Sequence, residues 1–272
     1  MSRIYAMAEV ELNERLLCDL RIKISETQKG GSVGINDLLQ ILEGKMKELS
    51  ITEKKGGWDF STEKERPSLT ADSMLNIRPM RHDDLHTYVS IRRQYAVLQR
   101  LWENQELNRD SYEREISCEA TFYCAIETKE SISCSSQNVI GYIALKDTSK
   151  EVWEVAIEID HAYCNKGYGP RAILLFLREI CRLTERKEYQ FTVEVDNTPC
   201  QKCMKKIGAQ LVGLYSTNSF ETEDLRKDFE ERHLDYITEH IVALANKLHV
   251  EPRTLLSNVL DYRVHIPEDN PF

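Results

Sequence analysis

CNKGYGPRA, residues Cys164 to Ala172, lies between a strand-like apolar run, VWEVAIEID (152–160), and a helix-like run, RAILLFLREICRL (171–183). Gly167 and Gly169 lack Cβ atoms, so the backbone can curl there and approach a ligand closely. Pro170 suits the first helical position, where a missing N–H costs nothing. The free N–H groups of that first turn, with the positive end of the helix dipole, point back at the loop. Lys166 adds a formal positive charge. Together these features describe an anion site suited to phosphates. An ordinary strand-to-helix turn uses glycines as well, and the loop by itself leaves both readings open.

Three phosphate-binding patterns compete. The P-loop pattern G-x-x-x-x-G-K-[ST] is absent. The dinucleotide pattern G-x-G-x-x-A is matched literally by Gly167 to Ala172. In dinucleotide folds, however, the first glycine follows its strand closely within a βαβ unit. Here HAYCNK separates Asp160 from Gly167, and hairpin-like strands precede it.

Working outward, LNIRPM (75–80) reads as a strand and HDDLHTYVSIRRQYAVLQRLW (82–102) as a helix with acids at its front. ATFYCAIET (120–128) and NVIGYIALKD (138–147) read as neighbouring strands joined by the polar loop SISCSSQN. After the glycine loop, Ile173, Leu174, Leu177, Ile180, Cys181 and Thr184 share one helical side. YQFTVEV (189–195) is a strand, DNTPCQKCMKKIG (196–208) a short helix ended by Gly208, and AQLVGLYS (209–216) a strand. The stretch of about 221–250 reads as an inserted amphipathic helix, capped by Thr222. LDYRVHI (260–266) alternates as a last strand.

The expected organisation is an N-terminal helical extension (1–50), a linker (51–74) and one main domain (75–272). In the extension, Leu12, Leu16, Leu20 and Ile24 form one helical face, and Asn36 caps a second helix. The linker is charged and carries a glycine pair and a proline. The extension packs on the main domain or on a second copy, so a homodimer is one open outcome.

The strand, the glycine loop, the helix, the next strand and then N-x-x-x entering a short helix that ends in K-I-G occur here in order. EVAIEIDHAYCNKGYG, VEVDN and NTPCQKCMKKIGAQLVG carry them. In this the chain resembles the GNAT superfamily of N-acetyltransferases, from about Leu75 to Ser216 and again at LDYRVHI. The resemblance implies a mixed α/β fold with a mostly antiparallel central sheet flanked by helices. The N-terminal helices and the insertion before the last strand would be additions to it.

The resemblance also implies acetyl-CoA as cosubstrate, with its pyrophosphate on Cys164, Asn165, Lys166, Gly167, Tyr168, Gly169 and Pro170. Its pantetheine arm would lie along the backbone of Ile157, Glu158 and Ile159, and Asn197 would match the family's cofactor-binding asparagine. The implied reaction is acetyl transfer to an amine of a small molecule or peptide. Two positions depart from the family pattern. Cys164 replaces the loop's usual Arg or Gln. Met204 replaces a tyrosine that serves many members as general acid, and it cannot donate a proton. Tyr163 and Tyr168 are either cofactor contacts or exposed loop tyrosines.

Amine acetylation needs a base to remove the amine proton. Glu154 and Glu158 share one face of their strand by alternation and are the two candidates. Glu154 stands where many family members carry a glutamate. Cys200-x-x-Cys203 is half a zinc site without a second pair, or a redox pair with a lowered Cys200 pKa at a helix N-terminus. A small-residue position in the family motif is the plainer reading, and no metal is expected. Two rival functions remain: a GNAT-shaped module that binds acyl-CoA without turnover, and a nucleotide-binding oxidoreductase.

The 272 residues carry a formal net charge of −9. Nucleic acid is therefore not expected as a partner, because the basic clusters (Arg92, Arg93; Lys202, Lys205, Lys206) read as solvated helix faces. An acidic chain is better placed to attract cationic amines. The acids of the insertion, among them Glu230, Glu231 and Asp235, are candidates for lining an acceptor entrance. No apolar run approaches the roughly 20 residues of a membrane span. The N-terminus has acids where a secretion signal has its apolar stretch. A cytoplasmic protein with mostly buried free thiols is the expectation.

Overall fold

The computed structural model describes residues 57–95, 105–129, 138–216, 220 and 222–267. The expected N-terminal helices and the loop SISCSSQ lie outside the described residues. An eight-stranded sheet forms the centre, in the order β1-β2-β3-β4-β5-β6-β8-β7. Its strands are β1 (Thr70–Ala71), β2 (Leu75–Pro79), β3 (Phe122–Thr128), β4 (Val139–Leu145), β5 (Trp153–Ile159), β6 (Glu188–Val193), β7 (Gln210–Ser216) and β8 (Asn258–His265). Six of the seven neighbouring pairs are antiparallel, and β5 with β6 is the parallel exception. The last strand slots between β6 and β7, so the chain's end closes the sheet's interior.

Strand alternation splits the side chains between two layers. Trp153, Val155, Ile157 and Ile159 face helix α4 (Tyr168–Thr184), whose Ile173, Phe176, Leu177 and Ile180 fill the main core. The spacing of those residues is helical, which is why the amphipathic run folds as α4 and not as another strand. Helix α5 (Thr198–Lys206) adds Met204 to the same core. On the opposite face, α2 (Leu85–Tyr95) and α3 (Gln105–Ser117) cover Ala125 and Tyr142 with Tyr88, Ile91 and Tyr112. The acids expected at the front of α2 serve a turn that precedes it. Asp84 accepts from the Arg81 backbone N–H at 2.8 Å and pairs with the buried Arg78 at 2.7 Å.

Three segments differ from expectation. The segment read as linker is packed from Gly57 onward. The short helix α1 (Ser61–Lys64) follows Phe60, which stacks on Phe122 at 4.4 Å. Leu69 is also buried, and β1 pairs with β2. Two apolar anchors in a charged stretch are enough to dock it, and no periodicity announces them. Helix α3, in a polar sequence, was not anticipated; it is held by Tyr112, which is fully buried. The insertion is two helices, α6 (Glu223–Arg232) and α7 (Glu239–Leu248), broken at the turn Leu234–Tyr236. Phe229, Ile241 and Ala245 join the main core, and both helices pack on the turn Pro252–Leu256 before β8. Among the described residues no helix is long and apolar enough to cross a membrane.

Candidate active site

The parallel pair β5 and β6 meets at two rungs only, Trp153 with Tyr189 and Glu154 with Gln190. Beyond them β5 stays on β4 as far as Ile159, while β6 stays on β8. The two strands therefore diverge from Val155 onward and open a cleft. Backbone direction alternates along a strand. Glu154 gives its carbonyl to Lys146, and the Asp160 N–H goes to Ile140 across β4, so the even-numbered residues bond toward β4. Val155, Ile157 and Ile159 consequently turn their backbone groups toward the cleft. Glu158 does not: its carbonyl lies against Gly141, where an added Cβ would sit 2.5 Å away. Of the three backbone positions expected to meet a pantetheine arm, Ile157 fits and Glu158 does not. The Ile159 carbonyl already accepts the Tyr95 hydroxyl.

At the open end of the cleft the chain passes through Asp160, whose carboxylate accepts the Ala162 N–H at 2.9 Å and starts the turn His161–Tyr163. Asn165 has φ 62° and Gly167 φ 86°. Asn tolerates the left-handed region better than other side-chain-bearing residues, which is why the loop closes without a glycine at 165. Gly167 is the N-cap of α4, and no side chain caps this helix start. A helix N-terminus of this kind favours an anion. Lys166 is exposed beside it, with its Nζ 5.0 Å from the centre of the Tyr163 ring.

Pro170 is the third helical residue, not the first, because α4 begins at Tyr168. It still sits where an N–H has no helical partner, but it removes one donor from the cradle. Tyr168 is buried in the core, so only its backbone faces the loop. Asn197 caps α5, accepting the Cys200 N–H at 3.1 Å through Oδ1. Its amide nitrogen makes no hydrogen bond among the described residues.

Glu154 stands on the last shared rung. Its Oε1 accepts the Thr192 hydroxyl at 2.7 Å from across the divergence, and Lys146 Nζ lies 3.6 Å away. Its Oε2 makes no hydrogen bond among the described residues. Beyond it on the same face, Gln190 donates to Asp261 at 3.0 Å, and Arg263 pairs with that aspartate at 3.2 Å. Glu158 lies four residues on, about 13 Å along the strand at roughly 3.3 Å per residue. Its Oε1 pairs with Arg92 at 2.7 Å, and Arg92 also donates to the Tyr142 hydroxyl at 3.1 Å. The two carboxylates are too far apart to serve one reacting atom; Glu158 holds a close ion pair through Oε1, while its buried Oε2 makes no hydrogen bond among the described residues.

Sequence reasoning read Arg92 as part of a solvated face, yet α2 turns it inward onto the sheet. It also passed over Glu115, which accepts the Tyr88 hydroxyl. Burial pushes the Glu115 carboxyl above its ordinary pKa, against opposing effects of Tyr88 and Arg92. Polar residues in α3 and lone basic residues in α2 leave no pattern that could have flagged them.

Met204 is fully buried, and its thioether has no proton to donate. Burial, followed by the neighbouring Cys203, raises the Cys200 thiol to about 12, and burial raises Cys203 to about 11. The helix N-terminus does not overcome that desolvation, so the pair is not an activated redox couple. Among the described residues, no cluster of His, Cys, Asp and Glu could hold a metal ion. Glu230 is buried, with the Ser257 hydroxyl donating to it, and does not belong to an exposed acidic face.

A sheet split at its parallel pair, with a glycine loop and a helix start without a side-chain cap at its mouth, could hold an extended anionic ligand. The family described as acetyltransferase (GNAT) domain matches residues 74–210, about half of the chain. The protein belongs to the GNAT acetyltransferase family. That membership overturns the oxidoreductase reading.

Among solved structures, the ribosomal-protein α-N-acetyltransferase RimL in complex with coenzyme A is similar at 11% identity, covering 74% of this chain and 99% of its own, with TM-score 0.52. The microcin self-immunity acetyltransferase MccE, in complex with acetyl-CoA and AMP, is similar at 12% identity, covering 74% and 98%, with TM-score 0.50. A chimera of the Vibrio cholerae spermidine N-acetyltransferase SpeG is similar at 15% identity, covering 71% and 96%, with TM-score 0.49. No curated protein matches the chain.

Proposed function

We propose that this protein transfers the acetyl group of acetyl-CoA to a primary amine by direct attack in a ternary complex. The observation that carries the reading is Glu154. It sits where β5 and β6 part, one carboxylate oxygen fixed by Thr192 and the other without a hydrogen bond among the described residues, in a cleft with the glycine loop and the start of α4 at its mouth. The residues fit the cosubstrate. The uncapped first turn of α4, with Asn165, Lys166, Gly167 and Gly169, would hold its pyrophosphate. Val155 and Ile157 would bond its pantetheine arm along the open strand edge, and Asn197 follows β6 at the same end of the sheet.

Acetyl-CoA supplies a thioester whose carbonyl accepts an amine. Glu154 Oε2 takes the proton from the incoming ammonium, directly or through a water, so that a neutral amine attacks. Thr192 holds the carboxylate in position, and Lys146 Nζ lies 3.6 Å from the same oxygen. A backbone N–H on the cleft edge can polarise the carbonyl. Met204 leaves no acid for the departing thiolate, so solvent protonates it. Glu158, tied to Arg92, shapes the acceptor face.

The test is thiol release from acetyl-CoA with a panel of polyamines, aminoglycosides and peptide N-termini. Glu154→Gln should lower kcat by about 10²–10⁴, the usual span for a general base, with acetyl-CoA affinity unchanged. Glu158→Gln should be far milder. Equal losses from both variants, or none from Glu154→Gln, would remove Glu154 from the role. The buried Met204 favours a second reading, a module that binds acyl-CoA without turnover. Binding of acetyl-CoA with no thiol release across the panel would select it.

A further inference from the structure

The last turn of α2 grips the root of the anion loop from the acceptor side of the sheet. Gln94 makes two hydrogen bonds there. Its Nε2 donates to Asp160 Oδ2 at 3.1 Å, and its Oε1 accepts the His161 N–H at 2.7 Å. Tyr95 donates its hydroxyl to the Ile159 carbonyl and lies 3.6 Å from Cys164 Sγ. Its ring packs edge-on against the His161 ring with centroids 4.7 Å apart. Two consecutive residues of one helix thus fix Ile159, Asp160, His161 and Cys164, the residues that lead into the left-handed Asn165 and Gly167. Asp160 is used on both sides, since its other oxygen starts the turn through the Ala162 N–H.

Cys164 occupies the position where an Arg or Gln was expected, and its thiol gives the loop little grip on itself beyond a 3.6 Å contact from Sγ to the Ile159 carbonyl. Gln94 and Tyr95 supply that grip from outside. A loop held in its binding geometry before the ligand arrives loses less conformational entropy on binding.

We propose that Gln94 and Tyr95 are positioning residues that preset the pyrophosphate loop, so that acetyl-CoA affinity is set in part by an acceptor-side helix. The proposal rests on the acetyl-CoA reading above. It also makes α2 a physical link between the two substrates, because the same helix carries Arg92 onto Glu158.

Tyr95→Phe keeps the ring contact with His161 and removes the bond to Ile159. Loss of one such hydrogen bond should raise the acetyl-CoA Kd by about three- to tenfold, measured by calorimetry. KM for acetyl-CoA should rise with it while kcat holds. Amide exchange of residues 159–169 in the free protein should quicken, with the strands unaffected.

Gln94→Glu sets a carboxylate against Asp160 and should weaken binding further. Combining it with Asp160→Asn reverses the donor and acceptor, leaves the Ala162 and His161 contacts intact, and should restore affinity to within about twofold of wild type. Folded variants with unchanged Kd and unchanged loop exchange, or a double variant no better than Gln94→Glu alone, overturn the proposal. A wild type that does not bind acetyl-CoA sinks the cofactor reading and the proposal with it. A wild type that binds, alongside variants that bind equally well, sinks the proposal alone.

Discussion

Gly141 is the residue of β4 that faces Ile159 at the cleft's end, and Gly141→Ala tests whether the β4–β5 contact is as tight as described. A Cβ built there would lie 2.5 Å from the Glu158 carbonyl oxygen and 2.7 Å from Ile159 Cδ1. The first neighbour is backbone and cannot swing away, so the two strands must separate locally. Overpacking of this kind costs about 1–3 kcal/mol. For a domain of this size, about 2 kcal/mol corresponds to a Tm lowered by about 4–8 °C.

Two other glycines separate this effect from loss of glycine as such. Gly167 has open space around its missing Cβ but φ 86°, so Gly167→Ala should cost about 1–2 kcal/mol from left-handed strain alone. Gly213 has open space and no left-handed φ, so Gly213→Ala should be neutral or stabilising by up to about 1 kcal/mol. The assay is urea unfolding of the three variants in parallel. A Gly141→Ala protein as stable as Gly213→Ala would mean that β4 and β5 are not in close contact at this rung.

Gly169→Glu should fold, since an added Cβ meets only Cys203 Sγ at an ordinary 3.7 Å. Its charge should nevertheless abolish acetyl-CoA binding in a titration. Glu115 has a raised folded-state pKa, so its contribution to stability is complete below the unfolded carboxylate pKa of about 4.3 and is lost as pH rises through the folded value. The Tm of Glu115→Gln relative to wild type should therefore climb with pH, and thermal melts in which this difference is flat would refute it. Glu230→Ala leaves the buried Ser257 hydroxyl only the longer 3.5 Å contact to the Thr254 carbonyl and should cost about 1 kcal/mol, whereas Glu231→Ala, on the exposed side, should stay within about 0.5 kcal/mol by urea unfolding. With thiols at about 12 and about 11, Cys200 and Cys203 should be alkylated far more slowly at neutral pH than an ordinary cysteine. Prompt labelling of either by peptide mapping would contradict their burial.

The sequence by itself determined the strands from Leu75 to Ser216, the helix after the glycine loop and the last strand. Each is carried by a local period of two or 3.6 residues, and a period needs no distant partner to be read. It also determined the loop's backbone, because left-handed positions at Asn165 and Gly167 ahead of a helix start are properties of a few consecutive residues.

Tertiary structure decided everything that depends on residues meeting across the sheet. Glu154 and Glu158 are equivalent by alternation; contacts from distant elements separate them, Thr192 of β6 and Lys146 of the neighbouring strand's end meeting the first and Arg92 of α2 the second. Glu230 belongs to a run of acids, and only the approach of Ser257 shows that it points inward. Gln94 and Tyr95 are ordinary helix residues until the fold brings them to Asp160 and Ile159, more than sixty positions away. Local periodicity selects the elements, but the register and packing of distant elements fix which polar groups are desolvated and paired, and desolvation and pairing are what turn a residue type into a role.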